Sequence, residues 1–118
     1  MFCVTVLYPK TTGATFDHDY YKNVHLPLVS EKLKPFGLRR MEVIRGIAAM
    51  AGAPAPFFTI SNYYFDEADQ FFDGMAAVGT AIIEDIPQYT TIDPLIQLGG
   101  LLATDLTPEP PPLPKPVE

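Results

Sequence analysis

The chain has 118 residues and a mass of 13.0 kDa, which predicts a single domain. Acidic residues number 14 against 8 basic ones, and this balance argues against nucleic acid and anionic membrane surfaces as partners, because both require a basic patch. No apolar run approaches the ~20 residues that cross a bilayer, and no secretory signal precedes the first strand-like run. With Cys3 as the single cysteine, which excludes a disulfide framework, these features predict a cytoplasmic protein.

The first third of the chain predicts a strand followed by an interrupted helix. Residues 2–8 carry apolar side chains on both faces, which is typical of a central strand. A helical segment begins near Phe16, and Pro27 lies inside it. Because proline removes a backbone donor, we expect a kink or break between Val24 and Pro27, after which the apolar stripe shifts to Val29, Leu33 and Phe36.

The remaining segments predict two paired strands, a second helix and a fourth strand. Residues 39–48 and 57–65 are joined by a link too short for a helix, which favours an antiparallel pair. Asp66 is the expected N-cap of the second helix, whose apolar residues recur at helical spacing until Pro87. Residues 91–102 predict the last strand, in which Gly99-Gly100 indicates a bulge or bend.

The element order β-α-β-β-α-β predicts a ferredoxin-like α+β fold. Right-handed crossovers would place both helices on one face of the sheet. Two helices cannot cover every apolar side chain of the strands, and a monomer would expose a large apolar patch. We therefore expect the bare face to pack on a second copy as a homodimer. The apolar side chains considered are Phe2, Val4, Phe58, Ile60, Ile96 and Leu98.

Two motifs resemble those of a known family. Residues 16–29 read FDHDYYKNVHLPLV and are similar to the opening signature of EthD-like proteins, with paired tyrosines, His-x-Pro and a following apolar pair. Residues 86–90 read IPQYT and, with the Ile-Asp-Pro and Ile-Gln that follow, resemble the closing motif of the family. The resemblance covers residues 2–103 and implies a dimeric α/β barrel, in which two ferredoxin-like sheets close face to face.

The resemblance does not choose a reaction, because related barrels include monooxygenases, isomerases, cyclases, decarboxylases and haem-degrading enzymes. Many relatives carry a histidine in the second helix, where residues 75–79 of this chain read MAAVG. A mechanism with two histidines is therefore not expected here.

His25 is the candidate catalytic residue. An imidazole can give or take a proton near neutral pH, and His25 lies at the expected helix break. The alternative is that His25 caps the broken helix. Asp17, Tyr21 and His25 share the spacing i, i+4, i+8, so they could form a proton relay, although Asp17 as a cap and Tyr21 as a core residue explain the same spacing. His18 is too far from His25 on a helix to share one metal ion, and we expect no metal site.

Aromatic side chains of the strands and loops are candidates for an apolar ligand pocket. Tyr63 and Tyr89 are the expected ring contacts with a substrate, and Asn62 is an expected polar contact. The alternative is that these rings belong to the ordinary core and the dimer interface.

The hypothesis from sequence is a small cofactor-free enzyme that acts on a hydrophobic, oxygenated or aromatic molecule by histidine acid/base chemistry. Isomerase, lyase and monooxygenase types all fit. The alternatives are a non-catalytic accessory or ligand-binding dimer of a catabolic pathway, and a structural dimer whose tail recruits another protein.

The C-terminal segment has a different composition. Residues 1–103 form the expected EthD-like domain, and residues 104–118 form a proline-rich tail. Its prolines predict an extended, polyproline-like strip. We expect this tail to pack on the dimer partner.

Overall fold

A computed structural model describes residues 1–104 of the chain. One antiparallel sheet has the spatial order β2-β3-β1-β4 and consists of β1 (Phe2–Pro9), β2 (Arg40–Arg45), β3 (Phe57–Phe65) and β4 (Leu95–Gly100). β1 is central, as its apolar faces predicted, and the ferredoxin-like α+β fold is confirmed. Apart from Thr104, the proline-rich tail and its expected contact with a partner lie outside the described residues.

The first helical segment has three parts, α1 (His18–Tyr20), a π-helical turn (Tyr21–His25) and α2 (Leu26–Leu33). The expected break before Pro27 is wrong, because the backbone stays right-handed helical through the π turn. Within that turn the Leu26 N–H reaches the Tyr21 carbonyl, five residues back. Pro27 occupies the first turn of α2, where its missing N–H costs little.

The π turn inserts one residue into the helical repeat and so rotates the buried face. His25 and Leu26 are adjacent in sequence, yet both are buried, and Val29 and Leu33 continue the new stripe. The predicted shift of the apolar stripe is therefore confirmed, and the wide turn is its cause.

The second long helix, α3, spans Ala68–Asp85. Its N-cap is Glu67 and not the expected Asp66. Glu67 and Gln70 form a reciprocal capping box, in which the Gln70 side-chain oxygen accepts from the Glu67 N–H at 3.1 Å. Pro87 ends the α-helix as predicted, and a 3₁₀ turn at Ile86–Gln88 follows.

Both long helices cover the same face of the sheet. Gly74 of α3 permits a close approach to α2, since a Cβ there would lie 2.9 Å from the Leu33 side chain. The side chains between helices and sheet form two adjoining clusters. One contains Val4, Val29, Leu33, Tyr63, Phe65 and Ile82, and the other contains Tyr8, Tyr21, Leu26, Tyr89 and Ile92.

The opposite face of the sheet is not covered by any described element. Strand pairing aligns its side chains in three rows across the sheet. The apolar row consists of Ile44, Ile60, Leu7 and Leu95, and the polar row consists of Glu42, Asn62, Thr5 and Gln97. The mixed row consists of Arg40, Tyr64, Cys3 and Gly99.

The open face differs in composition from the expected apolar patch. Phe2 and Val4 point to the helices and belong to the core, whereas Ile60 lies on the open face. Ile96 and Leu98 share the helix face with Val4, but 60% and 45% of their surface stays exposed because β4 is the edge strand.

The edge strands are shorter than the sequence patterns indicated. β2 ends at Arg45, and the following Gly46 lies so close to the neighbouring backbone that a Cβ there would meet the Phe57 carbonyl at 2.1 Å. Ile47 is therefore outside the strand and 92% exposed. The expected bulge at Gly99-Gly100 is wrong, since both residues pair in register with β1. The register shift lies instead between Tyr8 and Pro9, opposite Phe58.

Gly37 provides a test of this packing. It ends the first helical segment at φ 106°, and a Cβ there would lie 2.5 Å from the Gln70 side chain of the capping box. Gly37→Ala is expected to lower the free energy of unfolding by about 2–3 kcal/mol, from backbone strain and displacement of Gln70. Urea denaturation measures this change.

Gly13→Ala is the matched control, because Gly13 also has a positive φ of 79° but nothing within 4 Å of the added Cβ. This variant should lose only about 1 kcal/mol. Equal losses in the two variants would contradict a role for the Gln70 contact.

Candidate active site

A cavity of about 80 Å³ lies between the sheet and the two long helices and opens to solvent on one side. This volume exceeds the ~10–15 Å³ that a single water requires. Among residues 1–104, the polar side chains in its lining are those of Tyr8, His25 and Tyr63. The rest of the lining is apolar and comprises Val4, Val6, Val29, Leu33, Phe71, Met75, Ile82, Ile83, Ile86, Pro94 and Ile96.

His25 joins the two helices through a carboxylate. Its Nδ1 lies 3.0 Å from Oδ2 of Asp85, the last residue of α3, and the Tyr20 hydroxyl donates to Oδ1 of the same carboxylate at 2.7 Å. Because a carboxylate only accepts hydrogen bonds, Nδ1 carries the proton of the neutral ring and Nε2 carries the lone pair. Asp85 therefore fixes both the tautomer and the orientation of His25.

The surroundings of His25 favour its neutral form. The residue is 3% exposed, and burial lowers the pKa of its imidazole, while the Asp85 carboxylate raises it in partial compensation. A neutral imidazole is the form that accepts a proton. The ring also stacks on Tyr21, with centroids 5.5 Å apart, and lies 4.6 Å from the Tyr89 ring.

Buried hydroxyl groups surround this end of the cavity. The Tyr8 and Tyr89 oxygens are 2.5 Å apart, and the Tyr21 hydroxyl lies 2.5 Å from Ser61 Oγ. Burial raises the pKa of all three tyrosines, so they are neutral hydroxyls at physiological pH. The cavity consequently combines one base, uncharged hydrogen-bond donors and an apolar wall.

The candidate residues from sequence divide into those beside the cavity and those away from it. His25 and Tyr63 line the cavity, and Tyr21 and Tyr89 contact the His25 ring. Asp17 lies apart as the N-cap of α1, where its side chain accepts from the Tyr20 N–H at 3.0 Å. The spacing of Asp17, Tyr21 and His25 therefore does not produce a hydrogen-bonded relay.

Asn62 lies on the open face of the sheet, opposite the cavity. Its side-chain oxygen accepts a hydrogen bond from Thr5 at 2.7 Å, and the two residues are cross-strand partners. Asn62 cannot reach a molecule in the cavity without a change of strand register.

Sequence reasoning missed Asp85 and Tyr20 as site residues, and it placed Tyr8 only within a larger group of aromatic side chains that could line a pocket. The sequence did contain one signal for Asp85, which is its position in the last turn of the predicted helix. A carboxylate there interacts unfavourably with the helix dipole, which indicates that another interaction stabilises it. Within residues 1–104, no group of three or more histidine, cysteine or acidic side chains could hold a metal ion. No helix among these residues is long and apolar enough to span a bilayer.

The depressed pKa of His25 predicts a pH dependence of stability. In the unfolded chain this histidine titrates near 6.5, whereas in the folded protein burial lowers its pKa. Between the two pKa values the unfolded state binds more protons than the folded state, so the free energy of unfolding rises with pH in this window. The contribution of His25 is fully present above pH 6.5 and is lost as the pH falls through the folded pKa. NMR titration of the His25 ring in a His18→Gln background measures the pKa directly.

Asp85→Asn removes the charge that favours imidazolium and should lower the His25 pKa further. A His25 pKa above 6.5 in the unsubstituted protein, or a rise in Asp85→Asn, would contradict this account of the site.

No protein-family model and no curated protein match the chain. Among solved structures, an EthD-like protein from Ralstonia eutropha JMP134 is similar at 36% identity and a TM-score of 0.80, over 86% of this chain and 92% of that one. A protein of the ethyl tert-butyl ether D (EthD) family from Bacillus halodurans C-125 has 22% identity and a TM-score of 0.59, over 86% of this chain and 99% of that one.

A dimeric ferredoxin-like protein from an uncultured marine organism shares the fold at 11% identity and a TM-score of 0.54, over 91% of this chain and 100% of that one. The Ralstonia protein is similar enough, over nearly its whole length, to show the family as well as the fold. The chain therefore belongs to the EthD-like family.

Proposed function

We propose that the protein is an enzyme that transfers protons on a small hydrophobic carbonyl compound, with His25 as the general base and acid. The observation that carries the proposal is the position of His25, which is buried, lines a cavity and is held at one nitrogen by Asp85. A histidine that served only as a helix cap would instead hydrogen-bond to backbone groups, and the N-cap of α2 makes no side-chain cap bond.

The pairing with Asp85 supports a catalytic role for the other ring nitrogen. Nδ1 is occupied, so Nε2 is the atom available to a molecule in the cavity. The lowered pKa keeps Nε2 unprotonated at neutral pH, and Asp85 stabilises the imidazolium once the proton has been taken. This arrangement is that of a base with an orienting carboxylate.

The lining of the cavity supports a hydrophobic substrate. Its volume of about 80 Å³ is below the ~150 Å³ of an engineered cavity that binds benzene, so a small branched alkyl group would fit inside, and a ring would enter in part and extend into the mouth. A longer molecule would extend through the mouth, past Ile83 and Ile96, which are 57% and 60% exposed.

Proton abstraction next to a carbonyl group is the step that these groups support best. Isomerisation or dehydration can start from that step, as can reaction of the resulting carbanion with oxygen. In a decarboxylation the carbanion would form by loss of CO₂, and the imidazolium would protonate it. The alternative is a protein that binds such molecules without chemistry, and the experiment below separates the two.

Exchange of carbon-bound protons tests the proposal without knowledge of the substrate. Acetophenone, cyclohexanone and 2-indanone are incubated in D₂O, and loss of the α-proton signals is followed by NMR. We expect the protein to accelerate exchange of at least one ketone and His25→Gln to reduce the acceleration by about 10²–10⁴-fold, the range for general bases.

His18→Gln is the matched control, because His18 packs on Phe16 and Phe58 away from the cavity lining and should leave exchange unchanged. Exchange that survives in His25→Gln would refute the catalytic assignment. Binding of the ketones without faster exchange would favour the ligand-binding alternative.

We also propose a homodimer in which the open faces of two sheets pack together. The apolar row of the open face supports this, because Ile44 and Leu95 are 58% and 56% exposed and Ile60 and Leu7 lie between them. The similar protein from the marine organism is described as dimeric. Burial of this row would remove a contiguous apolar surface from water.

Light scattering after size exclusion measures the mass of the assembly. We expect twice the 13.0 kDa of the chain, and we expect Ile60→Lys to shift the mass toward the monomer because a charge would be buried in the middle of the apolar row. Val24→Lys is the control, since Val24 is an exposed apolar residue of the helical layer. A dimer that persists in Ile60→Lys would contradict this interface.

A further inference from the structure

The Tyr8–Tyr89 pair has a donor that the protein itself does not use. The two hydroxyl oxygens are 2.5 Å apart, and both residues are buried, with 1% and 3% of their surface exposed. Either hydroxyl could donate to the other. A hydrogen bond between two hydroxyls uses only one of their two protons, so the second proton needs another acceptor.

The position of the cavity indicates which of the two hydroxyl protons has no acceptor among residues 1–104. Tyr8 lines the cavity beside His25, whereas Tyr89 does not belong to the lining. In the described part of the chain, the Tyr89 hydroxyl has no hydrogen-bond partner other than Tyr8. If Tyr89 donates to Tyr8, the Tyr89 proton is satisfied and the Tyr8 proton remains for a bound molecule.

The other polar group of the lining is already engaged. Tyr63 interacts with Tyr21 through its hydroxyl, and Tyr21 in turn is paired with Ser61. Among the hydroxyls of the lining, Tyr8 is therefore the one whose single hydroxyl partner, Tyr89, can leave its proton free for a molecule in the cavity.

We propose that Tyr8, supported by Tyr89, donates a hydrogen bond to the substrate oxygen on which negative charge develops while His25 removes a proton. This inference rests on the proposed function and specifies the ligand class, which is carbonyl compounds that form an enolate and phenols that resemble the enol. Tyr8 is then a catalytic residue, and Tyr89 is a positioning residue that acts through it.

The step balances without any additional reactant. His25 Nε2 takes the proton from the carbon next to the carbonyl group, and the electron pair of the broken C–H bond forms a C=C bond. The π pair of the carbonyl moves to its oxygen, which receives the hydrogen bond from Tyr8. The imidazolium then returns the proton to carbon, at the same or a conjugated position.

The electrostatics of the pair agree with a donor role. Burial raises the pKa of Tyr8 and of Tyr89 above the ordinary value for tyrosine, so both remain protonated at physiological pH. A neutral donor in an apolar site stabilises a developing oxyanion more strongly than it would in water.

A pair of fluorinated probes isolates this hydrogen bond. 4-Fluorophenol and fluorobenzene differ only by the hydroxyl, and titration by ¹⁹F NMR gives the affinity of each. We expect the unsubstituted protein to bind 4-fluorophenol about fivefold to tenfold more tightly than fluorobenzene. Tyr8→Phe should abolish this preference and leave the fluorobenzene affinity unchanged, which also shows that the variant is folded.

Two further variants guard against an indirect effect. Tyr8→Phe with Tyr89→Phe removes both hydroxyls of the pair, so that neither is left without the other, and should bind the probes as Tyr8→Phe does. Tyr64→Phe removes a hydroxyl that donates to Glu42 on the open face and should keep the preference for 4-fluorophenol.

An equal affinity of the unsubstituted protein for the two probes, binding of neither, or a preference that persists in Tyr8→Phe would overturn the inference. Because the probe titrations measure binding at equilibrium, their outcome is independent of the outcome of the proton-exchange experiment. Loss of exchange in His25→Gln with no effect of Tyr8→Phe on probe binding would leave the proposed function standing without this donor. A preference for 4-fluorophenol that depends on Tyr8, without exchange of any ketone, would leave the hydrogen bond from Tyr8 standing and refute the proposed function.

Discussion

The π-helical turn before Pro27 determines what the first helix presents to the sheet. A regular α-helix would place residues 21, 25 and 28 along one stripe, but the wide turn adds one residue and brings both His25 and Leu26 to the buried side. Leu26 continues the core of α2, and His25 is left beside the cavity. The wide turn thus lets Leu26 and the rest of α2 join the core while His25 stays on the stripe of Tyr21, beside the cavity.

The Asp85 carboxylate converts this placement into a defined geometry. It lies at the end of α3 and accepts hydrogen bonds from two side chains of the first helical segment, Tyr20 and His25. The two helices are therefore tied together at the site by polar contacts, in addition to the close apolar approach at Gly74. A carboxylate at a helix C-terminus is electrostatically unfavourable for the helix, so its two donors compensate for that cost locally.

Local patterns were sufficient for the element order, the central position of β1 and the shifted apolar stripe, because each depends on neighbours in sequence. The partner of His25 was not accessible in this way, since Asp85 is 60 residues away and the contact depends on how α3 packs. The alternation of side chains along β3 excludes one combination of the predicted site residues. Asn62 and Tyr63 are consecutive in a strand and must point to opposite faces, so they could not both contact one ligand.

The edge strand β4 also forms part of the cavity rim. Ile96 lies on this strand and Pro94 immediately precedes it, and both line the cavity, while the outer edge of the strand has no described neighbour. A molecule in the mouth would shield apolar surface of β4 from water, and a strand or chain placed against that edge would narrow the mouth. If a strand or chain associates with this edge and narrows the mouth, that association and occupancy of the cavity are thermodynamically linked, and each changes the equilibrium constant of the other by the same factor.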